Sequence, residues 1–228
     1  MKLVITIAST IASLFLSVLA IAQQDIEKNI GDFDEIKVYD LINVELVKSD
    51  ENRAIITGDN KSDVELINKN GILKIKMRLG ESFVGNKTVV RLYYKNISTI
   101  DVNEGAYVSS DDIFQRYKME LRVQEGAVIK LQLEVTDLHL KAVTGGQIEV
   151  SGKADRQDIS INTGGIFLGQ SLESESSYVA IRAAGEAHIR ASRLADIKIR
   201  AGGDVYIYGN PETVNEDKIF GGRIKRMD

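Results

Sequence analysis

The chain has no cysteine, no tryptophan, one proline and two histidines in 228 residues. Without cysteine there is no disulfide, no thiolate nucleophile and no sulfur ligand, so stability has to come from a packed core. With one proline, turns fall to glycine, asparagine and aspartate, and 19 glycines are present. A zinc site wants three or four ligands at close spacing. Neither His139 nor His188 has such a partner nearby in sequence, and no metal or other cofactor is expected. The G-x-S-x-G and H-E-x-x-H signatures are absent. The glycine pairs at 145–146, 164–165 and 202–203 precede strand-like segments. They therefore offer no helix N-terminus to a phosphate. A net charge of −4 suits solubility and argues against a nucleic-acid partner.

One long apolar run is present, at the start. Met1 and Lys2 precede Leu3 to Ile21, and Ala20 and Ala22 form an A-x-A site. That pattern predicts a signal peptide over 1–22, cleaved before Gln23. The competing reading is a retained anchor, since the run is about long enough to span a bilayer; its serine and threonine content favours cleavage. With no cysteine near the site, lipid attachment is excluded. The remaining 206 residues carry a formal charge of −5 and no further run able to cross a membrane as a helix. The expectation is export through the inner membrane, to the periplasm or the cell surface.

Self-similarity carries the fold. The segments IDVNEGAYV, LRVQEGAVI, LKAVTGGQI, ISINTGGIF, VAIRAAGEA and IKIRAGGDV each alternate apolar residues, turn on small residues and resume alternation. Their last apolar residues before the turn are Val102, Val123, Ala142, Ile161, Ile181 and Ile199, spaced by 21, 19, 19, 20 and 18. Six residues beyond these anchors stand Val108, Ile129, Ile148, Phe167, Ala187 and Val205, an apolar column. The position just after each anchor is mostly polar. Side chains alternate with period two along a strand, so the apolar columns point in and the polar column out. A period near 20 with strands on both sides of a tight turn is the rung of a solenoid. Gly105, Gly126, Gly145, Gly164, Gly185 and Gly203 suit the corners, where the backbone needs positive φ. An antiparallel sandwich with glycine hairpins has similar strand spacing, but it does not require like residues to stack.

The fold class expected is all-β: a right-handed parallel β-helix with about 20-residue rungs over 99–212, preceded by a β-rich capping region over 31–98. Asn70-Gly71 marks a hairpin inside that region. The region reads either as a small antiparallel sheet or as shorter opening rungs. The charged tail, 213–228, is expected to cover the other end. End-to-end pairing of imperfectly capped rods makes a homodimer a further expectation.

Chemistry is sparse. Asp101, Glu104, Asp111, Asp112, Glu125 and Glu149 are the carboxylates that an outer-face polysaccharide enzyme would use, but they fall in different columns. If Val205 and Ile207 point in, Tyr206 and Tyr208 point out, each with an apolar face and a polar tip. Arg200 and Arg182, with Lys198 and Arg190, add positive charge nearby. The expected ligand-binding residues are therefore Tyr206, Tyr208, Arg200 and Arg182; ordinary cross-strand cover is the alternative.

The stretches GDFDEIKVYDLINVELVKSDENRAIITGD (31–59) and DVELINKNGILKIKM (63–77), the small-residue turns, and the ending VYIYGNPETVNEDKIFGG (205–222) resemble the "putative auto-transporter adhesin, head GIN domain" family of Bacteroidetes-type bacteria. The resemblance spans about 31–222. It implies an exported β-helical domain with no assigned enzymatic activity, and it supplies no motif of functional residues. The tail after Gly209 is too short to form a membrane barrel of its own. The expected function is an exported, non-catalytic binding or structural module presenting a solenoid surface to a glycan or protein. The alternatives are a polysaccharide lyase or hydrolase on the same scaffold, or a periplasmic scaffold with no external ligand.

Overall fold

The computed structural model describes residues 25–227; the expected signal peptide lies outside them. Strands make up 68% of the chain, forming a β-solenoid of about 7 turns with ~19-residue rungs. Seven strands form the N-terminal part: β1 (Ile26–Asn29), β2 (Glu35–Val38), β3 (Asn43–Lys48), β4 (Arg53–Gly58), β5 (Val64–Lys69), β6 (Ile72–Met77) and β7 (Thr88–Tyr94). β8 (Thr99–Val102) leads into four long, bent strands: β9 (Tyr107–Val123), β10 (Val128–Val143), β11 (Gln147–Asn162) and β12 (Ile166–Ile181). The last rungs are β13 (Glu186–Arg190), β14 (Leu194–Ala201), β15 (Asp204–Tyr208), β16 (Thr213–Phe220) and β17 (Arg223–Arg226).

Strand pairing defines two sheets that run the length of the molecule. Sheet A stacks β1, β4, β7, β3, the first halves of β9 to β12, β13, β15 and β17. Sheet B stacks β5, β6, β2, β8, the second halves of β9 to β12, β14 and β16. The anchors are register partners from rung to rung, Val102 to Val123 to Ala142 to Ile161 to Ile181 to Ile199, and all are buried. The column Val108, Ile129, Ile148, Phe167, Ala187, Val205 aligns in the same way, with every side chain at 0% exposure. The aliphatic core lies between the sheets.

The turns joining B to A explain the small residues. Asn103–Ala106, Gln124–Ala127, Val143–Gly146 and Asn162–Gly165 each close with a hydrogen bond from the fourth amide to the first carbonyl. Both central residues have positive φ, as in Glu125 (56°) and Gly126 (71°), which is the type I′ turn that favours glycine. The second glycine of each T-G-G serves another purpose. A Cβ on Gly165 would lie 2.3 Å from the Ala142 carbonyl oxygen of the rung before.

The N-terminal region combines both readings of its sequence. β5 and β6 form the expected hairpin around Asn70-Gly71, and β1 and β4 are also antiparallel to their neighbours. β2–β3 and β6–β7 are rungs. They stack out of chain order: β2 lies between β6 and β8, and β3 between β7 and β9. The chain thus completes the outer rung β6–β7 and crosses the earlier β2–β3 rung to begin β8. The β2–β3 turn, Asp40-Leu41, has positive φ at both residues without a glycine. The buried Asp40 carboxylate accepts the amide hydrogens of Met77 (3.0 Å) and Phe83 (3.2 Å), and this offsets the strain.

At the other end, 213–226 form one more rung. β16 pairs with β14 and β17 with β15.

Candidate functional site

The outer face of sheet A carries an aromatic and cationic column on its last rungs. Tyr206 is the register partner of His188 on one side and of Lys225 on the other. The His188 and Tyr206 rings stack at 4.5 Å with an interplanar angle of 21°. The Lys225 ammonium lies 5.7 Å from the centre of the Tyr206 ring. Strands about 4.8 Å apart impose this spacing on any planar pair in one column. Both faces of Tyr206 are therefore occupied, and its ring edge and hydroxyl point outward.

His188 is the hub. Its Nε2 is 2.6 Å from Glu186 Oε1 and its Nδ1 3.3 Å from the Tyr208 hydroxyl. An ionised carboxylate only accepts, so Nε2 is the nitrogen that donates to Glu186. The Arg190 guanidinium lies 5.9 Å from the Tyr208 ring centre, held by its own bond from Nε to the Gln170 carbonyl at 2.7 Å. Beside this column Arg223 binds Asp204 through Nε at 2.8 Å and through Nη2. That pairing holds the Asp204 carboxyl below its usual pKa.

The four expected ligand residues divide between the sheets. Tyr206 and Tyr208 belong to β15 in sheet A. Arg200 lies on β14 in sheet B, where its Nη1 is 2.9 Å from Asp217 Oδ2. Arg182 is exposed in the turn after Ile181 and borders a groove on sheet B with Lys198, Tyr178 and His139. The structure brings the tyrosines together with His188, Arg190 and Lys225 instead. His188 and Tyr206 stand seven residues beyond the anchors Ile181 and Ile199, so the repeat alignment already holds this pairing.

Three of the carboxylates that an enzyme would need, Asp101, Glu149 and Asp112, are each engaged by a lysine. Asp101 is 3.3 Å from Lys37 Nζ, and Glu149 is 2.9 Å from Lys130 Nζ. Asp112 accepts the Lys48 amide hydrogen at 2.6 Å. Glu104 lies beside Asp40; burial, and then that negative neighbour, raise its pKa. Among the described residues, no group of three histidine, aspartate or glutamate side chains is placed to hold a metal ion. No helix there is long and apolar enough to cross a membrane.

Residues 32–211 match the family model described as "Putative auto-transporter adhesin, head GIN domain". No curated protein sequence matches the chain. A crystal structure of a "putative adhesin" from Bacteroides fragilis superposes with a TM-score of 0.82 at 14% identity, covering 90% of this chain and 98% of that one. A "putative adhesin" from Parabacteroides merdae gives a TM-score of 0.71 at 18% identity, over 90% of this chain and 96% of that one. A "putative lipid binding protein" from Parabacteroides distasonis gives 0.68 at 18% identity, over the same shares. At these identities the likeness is one of fold. The family match covers most of the chain, which therefore belongs to the head GIN domain family.

Proposed function

We propose that this member of the head GIN domain family works by binding rather than by catalysis, displayed at the cell surface, with the last rungs of sheet A facing an acidic partner. The observation that carries the reading is the column of His188, Tyr206 and Lys225, flanked by Tyr208 and Arg190. Hydroxyls and cations converge there on a scaffold whose core columns are fully buried. The family description supports an adhesin-like role. With both faces of Tyr206 covered, a sugar ring cannot stack on it, so recognition rests on hydrogen bonds and charge. A uronic-acid glycan, or a carboxylate-rich protein surface, has that chemistry. Arg200 and Arg182, around the turn edge on sheet B, would extend the positive field to a longer ligand.

The test is binding to immobilised acidic glycans and acidic proteins, with the Tyr206→Ala, Tyr208→Ala double variant as comparison and circular dichroism as the control for folding. Saturable binding by the native protein that the variant loses is the expected outcome. Equal binding by both proteins, or none by either, rejects this face.

A further inference from the structure

A second surface lies at the opposite end of the rod, on sheet B. The cross-strand pairs Glu65–Lys76, Ile67–Lys74 and Lys69–Ile72 place these six side chains on one face of the β5–β6 hairpin. A groove of about 590 Å³ runs along this face, within the size range of small-molecule sites. Its far wall is the 78–84 loop, which the Asp40 carboxylate ties to the end of β6 by accepting the amide hydrogens of Phe83 and Met77. Three features set its chemistry. It is lined by large apolar side chains left open to solvent, Ile67 at 41% and Leu79 at 91% exposure. Lysines are interleaved with them: Lys76 is paired with Glu65 at 3.0 Å, while among the described residues no carboxylate pairs Lys69 or Lys74. Finally, the groove is polarised. Lys69 lies at the hairpin tip and Glu104 at the turn end, beyond Met77. Six residues of β6 give it a length of about 20 Å.

We propose that this groove binds a free single-chain anionic amphiphile, such as a long-chain carboxylate, with its acidic head on Lys69 and Lys74 and its chain along Ile67, Ile72 and Leu79. The charges set the direction, because a head placed at the other end would meet Glu104. An acidic glycan would leave Ile67 and Leu79 uncovered, and a neutral alkyl chain would leave two ammonium groups without partners. The site is remote from the column on β13 and β15 and does not depend on it.

The experiment titrates the purified protein with a dansyl-labelled long-chain fatty acid, using unlabelled laurate and its methyl ester as competitors. Saturable, blue-shifted emission displaced by laurate and not by the ester is expected. Lys69→Glu with Lys74→Glu should weaken binding by about tenfold or more, and Leu79→Asp should weaken it as well. The Tyr206→Ala, Tyr208→Ala variant should bind the probe like the native protein, which separates this site from the proposed partner face. Absence of saturable binding, equal displacement by the ester, or unchanged affinity after the double charge reversal would overturn the proposal. So would co-sedimentation with phosphatidylglycerol vesicles without uptake of the dispersed probe, an outcome that assigns the patch to a membrane surface.

Discussion

Ile199 and Lys218 are register partners on adjacent rungs of sheet B. The inward column that runs from Ile75 through Val38 and Val102 thus ends in an ammonium group. Glu216 stands in the same way beneath Ile197, and Arg226 beneath Ile207 on sheet A. Charges at inward positions of a terminal strand are a device against edge-to-edge pairing. They weigh against the end-to-end homodimer suggested by the sequence, at least through this edge. Replacing Glu216 and Lys218 together by isoleucine should extend the aliphatic column into an open edge. Concentration-dependent self-association, followed by sedimentation velocity, is the expected result, with the native protein showing none through this end.

Adjacent glycines should respond differently to substitution. Gly164 has φ of 76° and open space around its absent side chain, whereas Gly165 has backbone 2.3 Å from the site of a Cβ. Gly164→Ala should cost about 1 kcal/mol for the left-handed backbone. Gly165→Ala should cost about 3 kcal/mol or more, because the rungs must part. Gly164→Asn should be tolerated and Gly165→Asn should not. Urea midpoints read all four variants.

Glu104 makes stability depend on pH. Its folded pKa is raised by burial, by Asp40 and by Glu125, so the folded state holds this proton more tightly than the unfolded chain. The residue therefore lowers stability once pH rises through the folded value, and has no such effect when both states are protonated. Glu104→Gln should raise the melting temperature at pH 7, with the gain gone below about pH 4. Calorimetry at the two pH values gives the comparison.

The inward column on sheet B turns polar midway, from Leu138 to Gln157 to Ser177. Gln157 Nε2 donates to Ser177 Oγ at 2.7 Å and to Ser174 Oγ at 3.0 Å, while its Oε1 has no partner among the described residues. Gln157→Leu removes that orphan and leaves Ser174 and Ser177 bonded to each other at 3.0 Å. Stability should change by less than about 1 kcal/mol. Ser174→Ala takes away the 2.6 Å donor to the Arg190 carbonyl and should cost about 1–2 kcal/mol. Chemical denaturation separates the two outcomes.

The solenoid was legible because its signal is local: a turn, an anchor and an apolar column recur every rung, and Val108 to Val205 stack as that alignment requires. The N-terminal rungs were not. Glu35 pairs with Thr99 and Asn43 with Tyr107, and strands of four to six residues carry no register signal across such a separation. The tyrosines were legible as outward-facing from strand alternation. Their separation from Arg200 was not, because the turn at Gly202-Gly203 carries the chain from sheet B to sheet A between them. The groove escaped notice because its floor is a hairpin face and its wall a loop held by Asp40, a contact that no sequence spacing reveals.

Protease shaving of intact host cells, with a periplasmic protein as control, tests the central claim most directly. A surface-displayed adhesin-like module predicts loss of the mature protein from whole cells while the control stays intact. Cleavage only after the outer membrane is opened would contradict the account and confine any partner to the periplasm.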